Sequence, residues 1–445
     1  GNADAGEERW AEVLVLAARA NDRFSQASAA LDAALGRNRS HRAARVMAAD
    51  LTYHWLLVAE RYRNATLLKE LNARLRTVDD DHSRVAALSS LAHLEVTTEP
   101  AGVEVVLHTI TVDESGRRLD GPGHLLAAHQ GVRSVDLEAG SYSLSIRAPG
   151  RVPANYPVLL NRGEDQRVEI KLPERDIVPP GFIFVPAGWS LVGAADSELF
   201  RRLMSMEPYR PARVESFLIA ENEVTFAEYL EFLRDLPGHE QEARRPHGSW
   251  VDVIMDRRRT ASITFLGESA ASGEPLCRPA RSINRCQDWL RMPVAGVSWE
   301  DAEAYAVWLA KTGRVPGARL CTEREWERSA RGADGRLYAH GDRLLEGSAN
   351  FDATYYFDFR QVGLDVTGIY PNDRSPFGVR DMNGNVAEWV RAVIDDRAPE
   401  QQVVRGGSWL KEAAKSRAAA RRLYATDFRN GETGMRVCAS MPTSS

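Results

Sequence analysis

The stretch VVRGGSWLKEAAKSRAAARRLYATDFRNGETGMRVC runs from Val403 to Cys438 and decides how the fold of this sequence is interpreted. Short apolar runs stand at its two ends, whereas its middle is rich in arginine and alanine. Its basic residues, from Arg405 to Arg436, are Arg405, Lys411, Lys415, Arg417, Arg421, Arg422, Arg429 and Arg436. Its acidic residues are Glu412, Asp427 and Glu432. This excess of positive charge predicts a basic surface.

Three short helices are predicted upstream of this stretch, each with a polar residue placed to cap it. Thr225 and Glu228 have the spacing of a capping box, and Thr322 and Glu325 repeat it. Ser298 is the expected cap of the helix between them. The side chains expected to face the core are Phe226, Tyr229, Leu230 and Leu233 on the first helix and Ala302, Tyr305, Ala306 and Leu309 on the second. The pattern predicts strands that alternate with short capped helices.

The order of these segments resembles one known family. GFIFVPAGWSLVG (181–193) comes first, the capped helices follow, and DRSPFGVRDMNGNVAEWV (373–390) precedes the C-terminal stretch. Together they are similar to the formylglycine-generating enzyme family, whose domain has a C-type-lectin-like α+β fold. The resemblance implies such a domain over residues 175–445.

Two further segments precede this domain, so the fold class is predicted to be multidomain α+β. Residues 1–91 have apolar residues at helical spacing and resemble tetratricopeptide units, which predicts an N-terminal helical segment. Residues 92–174 alternate in short runs separated by glycine and proline, which predicts a small antiparallel β-sandwich similar to a PEGA domain. This order resembles the C-terminal halves of bacterial serine/threonine kinases. Because the chain begins without methionine, we expect a fragment, with a kinase domain upstream.

The resemblance also shows where the family's chemistry would lie. Its active members bind Cu(I) through two cysteines, since thiolate is a soft ligand. One of them lies in an Arg-Cys-Ala-Ala-Arg pattern, which matches Arg417 to Arg421 and places Ala418 at that cysteine. The other would lie five residues earlier, at Ala413. A methyl group binds no metal, so the comparison indicates a protein without the copper-dependent oxidase activity.

The four cysteines, Cys277, Cys286, Cys321 and Cys438, are too few for a disulfide framework. Cys277 and Cys286 share one loop and are interpreted either as free thiols or as a pair. Cys321 is expected to be a small packed residue at a strand end. A related branch of the fold holds iron with a His-x-x-x-His pair, which the ten histidines of this chain do not contain.

Structural calcium is a further implication of the resemblance, because calcium takes carboxylate, amide and backbone oxygens. One predicted site lies in the motif GNVAEW and comprises Asn385, Val386 and Glu388. A second comprises Asn350, Phe351, Asp358 and Arg360. The alternative is that these polar side chains only tie their loops by hydrogen bonds.

The C-terminal stretch supplies the predicted ligand-binding residues. They are Trp409, Lys411, Arg417, Arg422, Tyr424, Asp427 and Arg429. Aromatic and arginine side chains are the usual anchors of a recognition surface, and guanidinium groups match carboxylates and phosphates. The expected partner is therefore a protein or an acidic or phosphorylated peptide. The alternative is a solvated basic face without a ligand.

Bulk properties narrow the class of protein. The 445 residues are 44% hydrophobic and 27% charged, which is ordinary for a globular chain. A net charge of −5 gives no overall basic footprint for nucleic acid, and no apolar run is long enough to span a membrane. Unpaired cysteines and the kinase likeness favour the cytoplasm. PEGA modules outside cells leave an extracytoplasmic location open.

Three functions are therefore compared. The first is a non-catalytic recognition region, a sensor or docking module, of a bacterial signalling protein fused to a kinase. The second is a metal-dependent oxidase with altered ligands. The third is a diversified C-type-lectin-like binding protein, which the Ala- and Arg-rich stretch disfavours because such proteins vary in Asn, Tyr, Ser and Asp.

Overall fold

The computed structural model describes residues 3–61, 65–129, 131–256, 260–392 and 400–441. The chain divides into two compact units. The first unit comprises residues 1–94, 135–139 and 160–166, and the second comprises 95–134, 140–159 and 167–445. No helix among the described residues is both long enough and apolar enough to cross a membrane.

The first unit is built mainly from helices. They are α1 (Ala3–Arg37), α2 (Arg42–Arg61), α3 (Ala65–Val78) and α4 (Ser83–Leu88). Leu56, Leu71 and Leu75 are buried at their common core. The ring of Phe24 on α1 stacks on that of Trp55 on α2, with 5.6 Å between the ring centroids. The predicted N-terminal helical segment is confirmed, whereas its likeness to tetratricopeptide units stays a prediction.

Seven short strands follow the helices. They are β1 (Ala92–Glu99), β2 (Glu104–Val112), β3 (Arg118–Leu125), β4 (Val132–Leu137), β5 (Gly140–Arg147), β6 (Ala154–Leu160) and β7 (Asp165–Lys171). They form sheets of order β4-β1-β7 and β3-β2-β5-β6. Strand β2 runs antiparallel to both β3 and β5. Small antiparallel sheets were predicted here, and the PEGA likeness stays a prediction.

The remainder of the second unit mixes short helices and strands. Its helices are α5 (Glu198–Leu203), α6 (Phe226–Asp235), α7 (Gly238–Arg244), α8 (Trp299–Lys311) and α9 (Glu323–Arg331). Its first strands are β8 (Phe182–Val185), β9 (Gly188–Val192), β10 (Arg210–Val214), β11 (Phe217–Ala220), β12 (His247–Gly248), β13 (Val251–Met255), β14 (Ala261–Phe265) and β15 (Glu268–Ala271). Its later strands are β16 (Leu276–Cys277), β17 (Cys286–Gln287), β18 (Ala318–Leu320), β19 (Ala387–Val390), β20 (Gln401–Arg405), β21 (Arg422–Ala425), β22 (Thr433–Met435) and β23 (Val437–Ser440).

The strands of the C-terminal stretch belong to two four-stranded sheets. One has the order β18-β23-β11-β8, and the other has the order β21-β20-β19-β22. Strand β19 pairs antiparallel with β20 and parallel with β22. The GNVAEW motif and both ends of the C-terminal stretch are therefore neighbours, and the predicted α+β class is confirmed.

The predicted helix caps are present. The Thr225 hydroxyl accepts from the backbone N–H of Glu228, and the Glu228 carboxylate accepts from the backbone N–H of Thr225. Thr322 and Glu325 form the same pair at α9. Ser298 caps α8, with Asp301 as its reciprocal partner. The side chains expected to face the core from α6 and α8 are buried. These local signals were sufficient to place the helices.

Candidate functional site

The positions of the family's two cysteines hold alanine in a packed environment. Ala418 is fully buried in a core cluster with Phe217 and Trp326, and its backbone N–H donates to the Leu337 carbonyl at 2.8 Å. Ala413 begins a short 3-10 turn, and its carbonyl accepts from the Tyr338 hydroxyl at 3.1 Å. Methyl groups at these two positions provide no thiolate for a metal.

All four cysteines form disulfides. Cys277 is bonded to Cys286, which was one of the two interpretations considered for that loop. Cys321 is buried directly after β18, as expected, but it is also bonded to Cys438, which the sequence analysis did not predict. The reason is that β18 and β23 are adjacent in one sheet, which brings residues 117 positions apart together. No free thiol stands among the residues that the structure describes.

The basic residues of the C-terminal stretch have carboxylate partners, some from other parts of the chain and some within the stretch itself. Arg417 lies 3.0 Å from Asp196, and its guanidinium also lies over the ring of Phe200. Lys411 lies 3.0 Å from Glu432, and Arg422 lies 3.8 Å from the same carboxylate. These pairs neutralise charges that the sequence alone presents as an excess.

The remaining basic residues follow the same rule. Those that pair across the fold are Arg405 with Glu323 and Glu327, Arg421 with Glu323, Arg429 with Asp301, and Arg436 with Glu388. Lys415 pairs locally with Glu412. Because these carboxylates lie so near, an acidic peptide would have to compete with internal partners at every one of these positions.

The aromatic residues expected to line a groove have different surroundings. Trp409 is fully buried, and its indole N–H donates to the Gly431 carbonyl at 2.8 Å, so it does not line a surface as the sequence suggested. Tyr424 is half-buried and stacks on Phe428, with 4.3 Å between ring centroids. Asp427 is exposed. The predicted residues therefore do not form one open basic groove.

In the first predicted calcium site, the side-chain oxygens of Asn385 and Glu388 accept hydrogen bonds, and Glu388 also forms an ion pair. The Asn385 side-chain oxygen accepts from the Asn350 amide at 3.0 Å and from the backbone N–H of Asp365 at 3.1 Å. Arg436 and the indole N–H of Trp326 both donate to the Glu388 carboxylate. The side-chain oxygen of Asn350 is buried and has no hydrogen-bond partner among the described residues. An amide oxygen without a partner is one of the ligand types that calcium takes.

In the second predicted calcium site, arginine side chains contact oxygens that were expected to bind the ion. Asp358 is paired with Arg360 at 2.8 Å. The Arg278 guanidinium donates to the backbone carbonyls of Phe359 and Arg360, at 3.2 and 3.0 Å. Arg281, nearby, donates to the Asp365 carboxylate at 2.7 Å within a fully buried pair. As arranged, these oxygens do not fit a calcium ion.

The other predicted ligands were to offer backbone carbonyls. Phe351 is buried at the start of a 3-10 turn, and its N–H donates to the Thr354 hydroxyl at 3.1 Å. The N–H of Val386 donates to the Glu223 carboxylate at 3.3 Å. Within the described ranges no group of three His, Cys, Asp or Glu side chains is arranged to hold a metal.

Buried acids surround the GNVAEW motif. Burial raises the pKa of Glu223 well above its ordinary range, and the nearby Asp381 raises it further. Burial likewise raises the pKa of Asp381 to about 6. Asp373 also has a raised pKa, because it is buried and lies near Asp381. The Arg436 guanidinium is the nearby cation that offsets this charge in part.

Exposed aromatic rings form a surface that the sequence analysis missed. We call Trp250, Tyr356, Phe357 and Phe359 the aromatic surface; they are 37%, 66%, 71% and 52% exposed. The rings of Trp250 and Phe359 lie 6.3 Å apart at a cavity of about 360 Å³, which Leu266 also lines. Trp250, Tyr356 and Phe357 all have positive φ, which is uncommon for bulky residues and is found at functional sites. The aromatic run YYFDF was the available signal.

A family model for the sulfatase-modifying factor enzyme 1-like domain matches residues 169–441. The chain belongs to this sulfatase-modifying factor family. Within the family it is 29% identical over 300 residues to the formylglycine-generating enzyme of Thermomonospora curvata, which covers 60% of this chain and 95% of that protein. It is also 29% identical over 218 residues to the inactive C-alpha-formylglycine-generating enzyme 2 of Bos taurus, 46% of this chain and 69% of that protein.

This chain is also similar to part of a protein kinase. The serine/threonine-protein kinase pkn1 of Chlamydia caviae is 30% identical over 292 residues, which are 62% of this chain and 39% of that protein. The expected family is thus confirmed. The kinase match and the match to an inactive relative fit a non-catalytic role.

Proposed function

We propose that this chain is a non-catalytic recognition region of a bacterial signalling protein. The observation that carries the proposal is the missing thiol chemistry: alanines occupy both expected copper positions, and the described cysteines are all in disulfides. Copper in its reduced state requires soft ligands, which methyl groups and disulfide sulfurs do not supply. The residues present therefore do not fit the family's copper, and no oxidative step is assigned to them.

The similarity to the Chlamydia kinase supports a signalling context. The matched part is about two fifths of that protein, so the rest of its length has no counterpart in this chain. We propose that this chain acts with a serine/threonine kinase domain, as a sensor or as a docking module for kinase substrates.

The aromatic surface supports recognition of a peptide with apolar side chains. Tryptophan and tyrosine are enriched among the residues that carry the binding energy of interfaces, and exposed apolar surface can mark an interaction site. The cavity between Trp250 and Phe359 has room for one aromatic or aliphatic side chain. Asp252, which also lines this cavity, is paired with Arg245 and adds a polar edge. We therefore place the ligand here instead of on the paired arginines of the C-terminal stretch.

A library of immobilised peptides tests this recognition on the full chain. We expect enriched peptides to share an aromatic or aliphatic anchor, and Trp250→Ala to weaken their binding at least tenfold. Leu199→Ala is the matched control, because Leu199 is 71% exposed at another place in the same unit. Absence of enrichment, or equal binding by Trp250→Ala and the parent chain, would contradict the proposal.

Two disulfides favour an oxidising compartment, since reducing systems keep cytosolic thiols unpaired. The preference for the cytoplasm rested on unpaired cysteines and on the kinase likeness, and the pairing removes the first of these two grounds. We propose the extracytoplasmic alternative. Alkylation of the chain in intact cells should modify none of the four cysteines, and modification of Cys277 or Cys286 would argue for the cytoplasm.

Calcium stays a prediction. Its proposed ligands already accept hydrogen bonds from Arg278, Arg360 and Arg436, so an ion would have to displace guanidinium groups. Elemental analysis before and after treatment with a chelator tests this. We expect no melting-temperature change on chelation, whereas one calcium per chain and a loss of stability would establish the site.

A further inference from the structure

A second cavity lies away from the aromatic surface, within the second unit. It has a volume of about 350 Å³ and lies between the β2–β3 hairpin and two loops, 334–343 and 371–378. We call it the loop cleft. Four arginines from three separate segments line it: Arg117, Arg118, Arg336 and Arg374. Four guanidinium groups around one small cavity are uncommon without a reason, because like charges repel.

Two of the four arginines have structural partners. Arg118 lies 3.1 Å from Asp334 and 2.9 Å from Asp342, and its backbone N–H donates to the His340 carbonyl. Arg336 is buried and lies 2.8 Å from Asp334. These ion pairs hold the wall of the cleft in place. The aspartates largely neutralise the charges of Arg118 and Arg336.

The other two arginines have no such partner. No carboxylate of a described residue pairs with Arg117 or Arg374, although Asp120 lines the same cleft. The Nε atom of Arg117 is buried and has no hydrogen-bond partner among the described residues. The Arg374 guanidinium lies against Gly378, where a Cβ atom would be 3.2 Å from its Nη2 atom. The cleft thus presents two guanidinium groups whose donors are available.

Neighbouring polar groups are also suited to an anion. Ser375 is buried, and its hydroxyl oxygen accepts from the backbone N–H of Val379 at 3.2 Å, which leaves the hydroxyl proton to donate. His340 contributes no charge, because burial lowers its pKa and its ring nitrogens bond to the Arg343 carbonyl and the Asn383 amide. Positive charge in the cleft therefore comes from arginine alone.

We propose that the loop cleft binds the phosphate group of a small phosphomonoester, with Arg117 and Arg374 as the charged anchors and Ser375 as a further donor. Guanidinium forks match the tetrahedral oxygens of phosphate, and hydrogen bonds between charged partners are the strong ones. A volume of about 350 Å³ is at the lower end of ligand pockets, which suits a small molecule more than a peptide. The site is independent of the aromatic surface.

Titration calorimetry of the full chain with inorganic phosphate and with phenyl phosphate tests the proposal. We expect saturable binding of both at one site per chain. Arg117→Ala and Arg374→Ala should each weaken it at least tenfold, and Arg374→Lys should recover part of the loss, because it keeps the charge but not the fork. Higher chloride concentration should weaken binding, since the contacts are ionic.

Arg167→Ala is the matched control, because the Arg167 side chain is 84% exposed and lies outside the cleft. Melting temperatures of all variants show whether each remains folded. Three results would overturn the proposal: no saturable binding of either probe, acetate binding as tightly as phosphate, or unchanged binding by the folded Arg117→Ala and Arg374→Ala variants.

Discussion

The C-terminal stretch and the loop cleft are both rich in basic residues, but they differ in how many of these residues have a carboxylate partner. The stretch has eight basic residues close together in sequence, and each has a carboxylate within 4 Å. The cleft gathers four arginines from three separate segments, and two of them, Arg117 and Arg374, have no carboxylate partner among the described residues. A local run of charge is therefore a poor guide to the charge that a ligand meets, because five of the eight basic residues pair with carboxylates from elsewhere in the chain.

The largest expected effect on stability follows from removing a buried carboxylate, that of Glu327 on α9, which pairs with Arg405 of the C-terminal stretch. The Glu327 carboxylate contacts Arg405 and Arg331, both at 2.8 Å, and accepts from the backbone N–H of Gly193. Glu327→Gln leaves the buried Arg331 without a carboxylate partner and Arg405 with Glu323 alone, so we expect a loss of about 3 kcal/mol in the free energy of unfolding. Urea denaturation measures it.

Glu215→Gln is the control for this variant, since its pair with Arg213 is exposed on both sides. Its effect should stay below about 1 kcal/mol. If the Glu327 variant were equally mild, the pairs in the stretch would not be the reason that its charges are unavailable.

An intermediate effect is expected at Asp381, whose carboxylate adds to the buried acids near Arg436. Its folded pKa of about 6 lies above the ordinary value, so the folded state binds the proton more tightly. The associated stability is present below pH about 4 and is lost as the pH rises through about 6. Asp381→Asn lacks this loss and tolerates the positive φ of the position.

The variant should therefore gain about 2 kcal/mol relative to the parent chain between pH 4 and pH 7. Denaturation at several pH values measures the difference. Asp427→Asn, the same substitution at an exposed position, is measured in parallel as the control. A flat difference for Asp381→Asn would mean that Arg436 already compensates this acid fully.

The smallest expected effect on stability belongs to the loop cleft. Arg117→Ala and Arg374→Ala remove no ion pair with a described residue, so each should change the free energy of unfolding by less than about 0.5 kcal/mol. Thermal and urea denaturation measure this. A loss of more than about 2 kcal/mol would show that these arginines stabilise the fold, and the contrast with the C-terminal stretch would then disappear.

Features that depend on neighbours in sequence were predictable. The capping boxes at Thr225 and Thr322 need only residues three positions apart, and the structure has both. The order of motifs from residue 181 to Cys438 was sufficient to identify the family. The assignment of Ala413 and Ala418 to the positions of the copper-binding cysteines rests on the same local order and stays a prediction.

Features that depend on distant partners were not predictable. The bond between Cys321 and Cys438 requires β18 beside β23, and nothing in the sequence sets that adjacency. The neutralisation of Arg417 by Asp196 joins residues far apart in sequence. Burial of Trp409 follows from its contacts with Trp250 and Phe265, which lie in another segment.

The most direct test of the central claim, that this family member lacks the family's copper chemistry, is copper content after exposure to Cu(I). The purified chain would be washed with a weak chelator and analysed by mass spectrometry, with the formylglycine-generating enzyme of Thermomonospora curvata treated in parallel. We predict no retained copper in this chain, because Ala413 and Ala418 supply no thiolate. About one tightly held copper per chain, with oxidation of a cysteine peptide, would contradict the account.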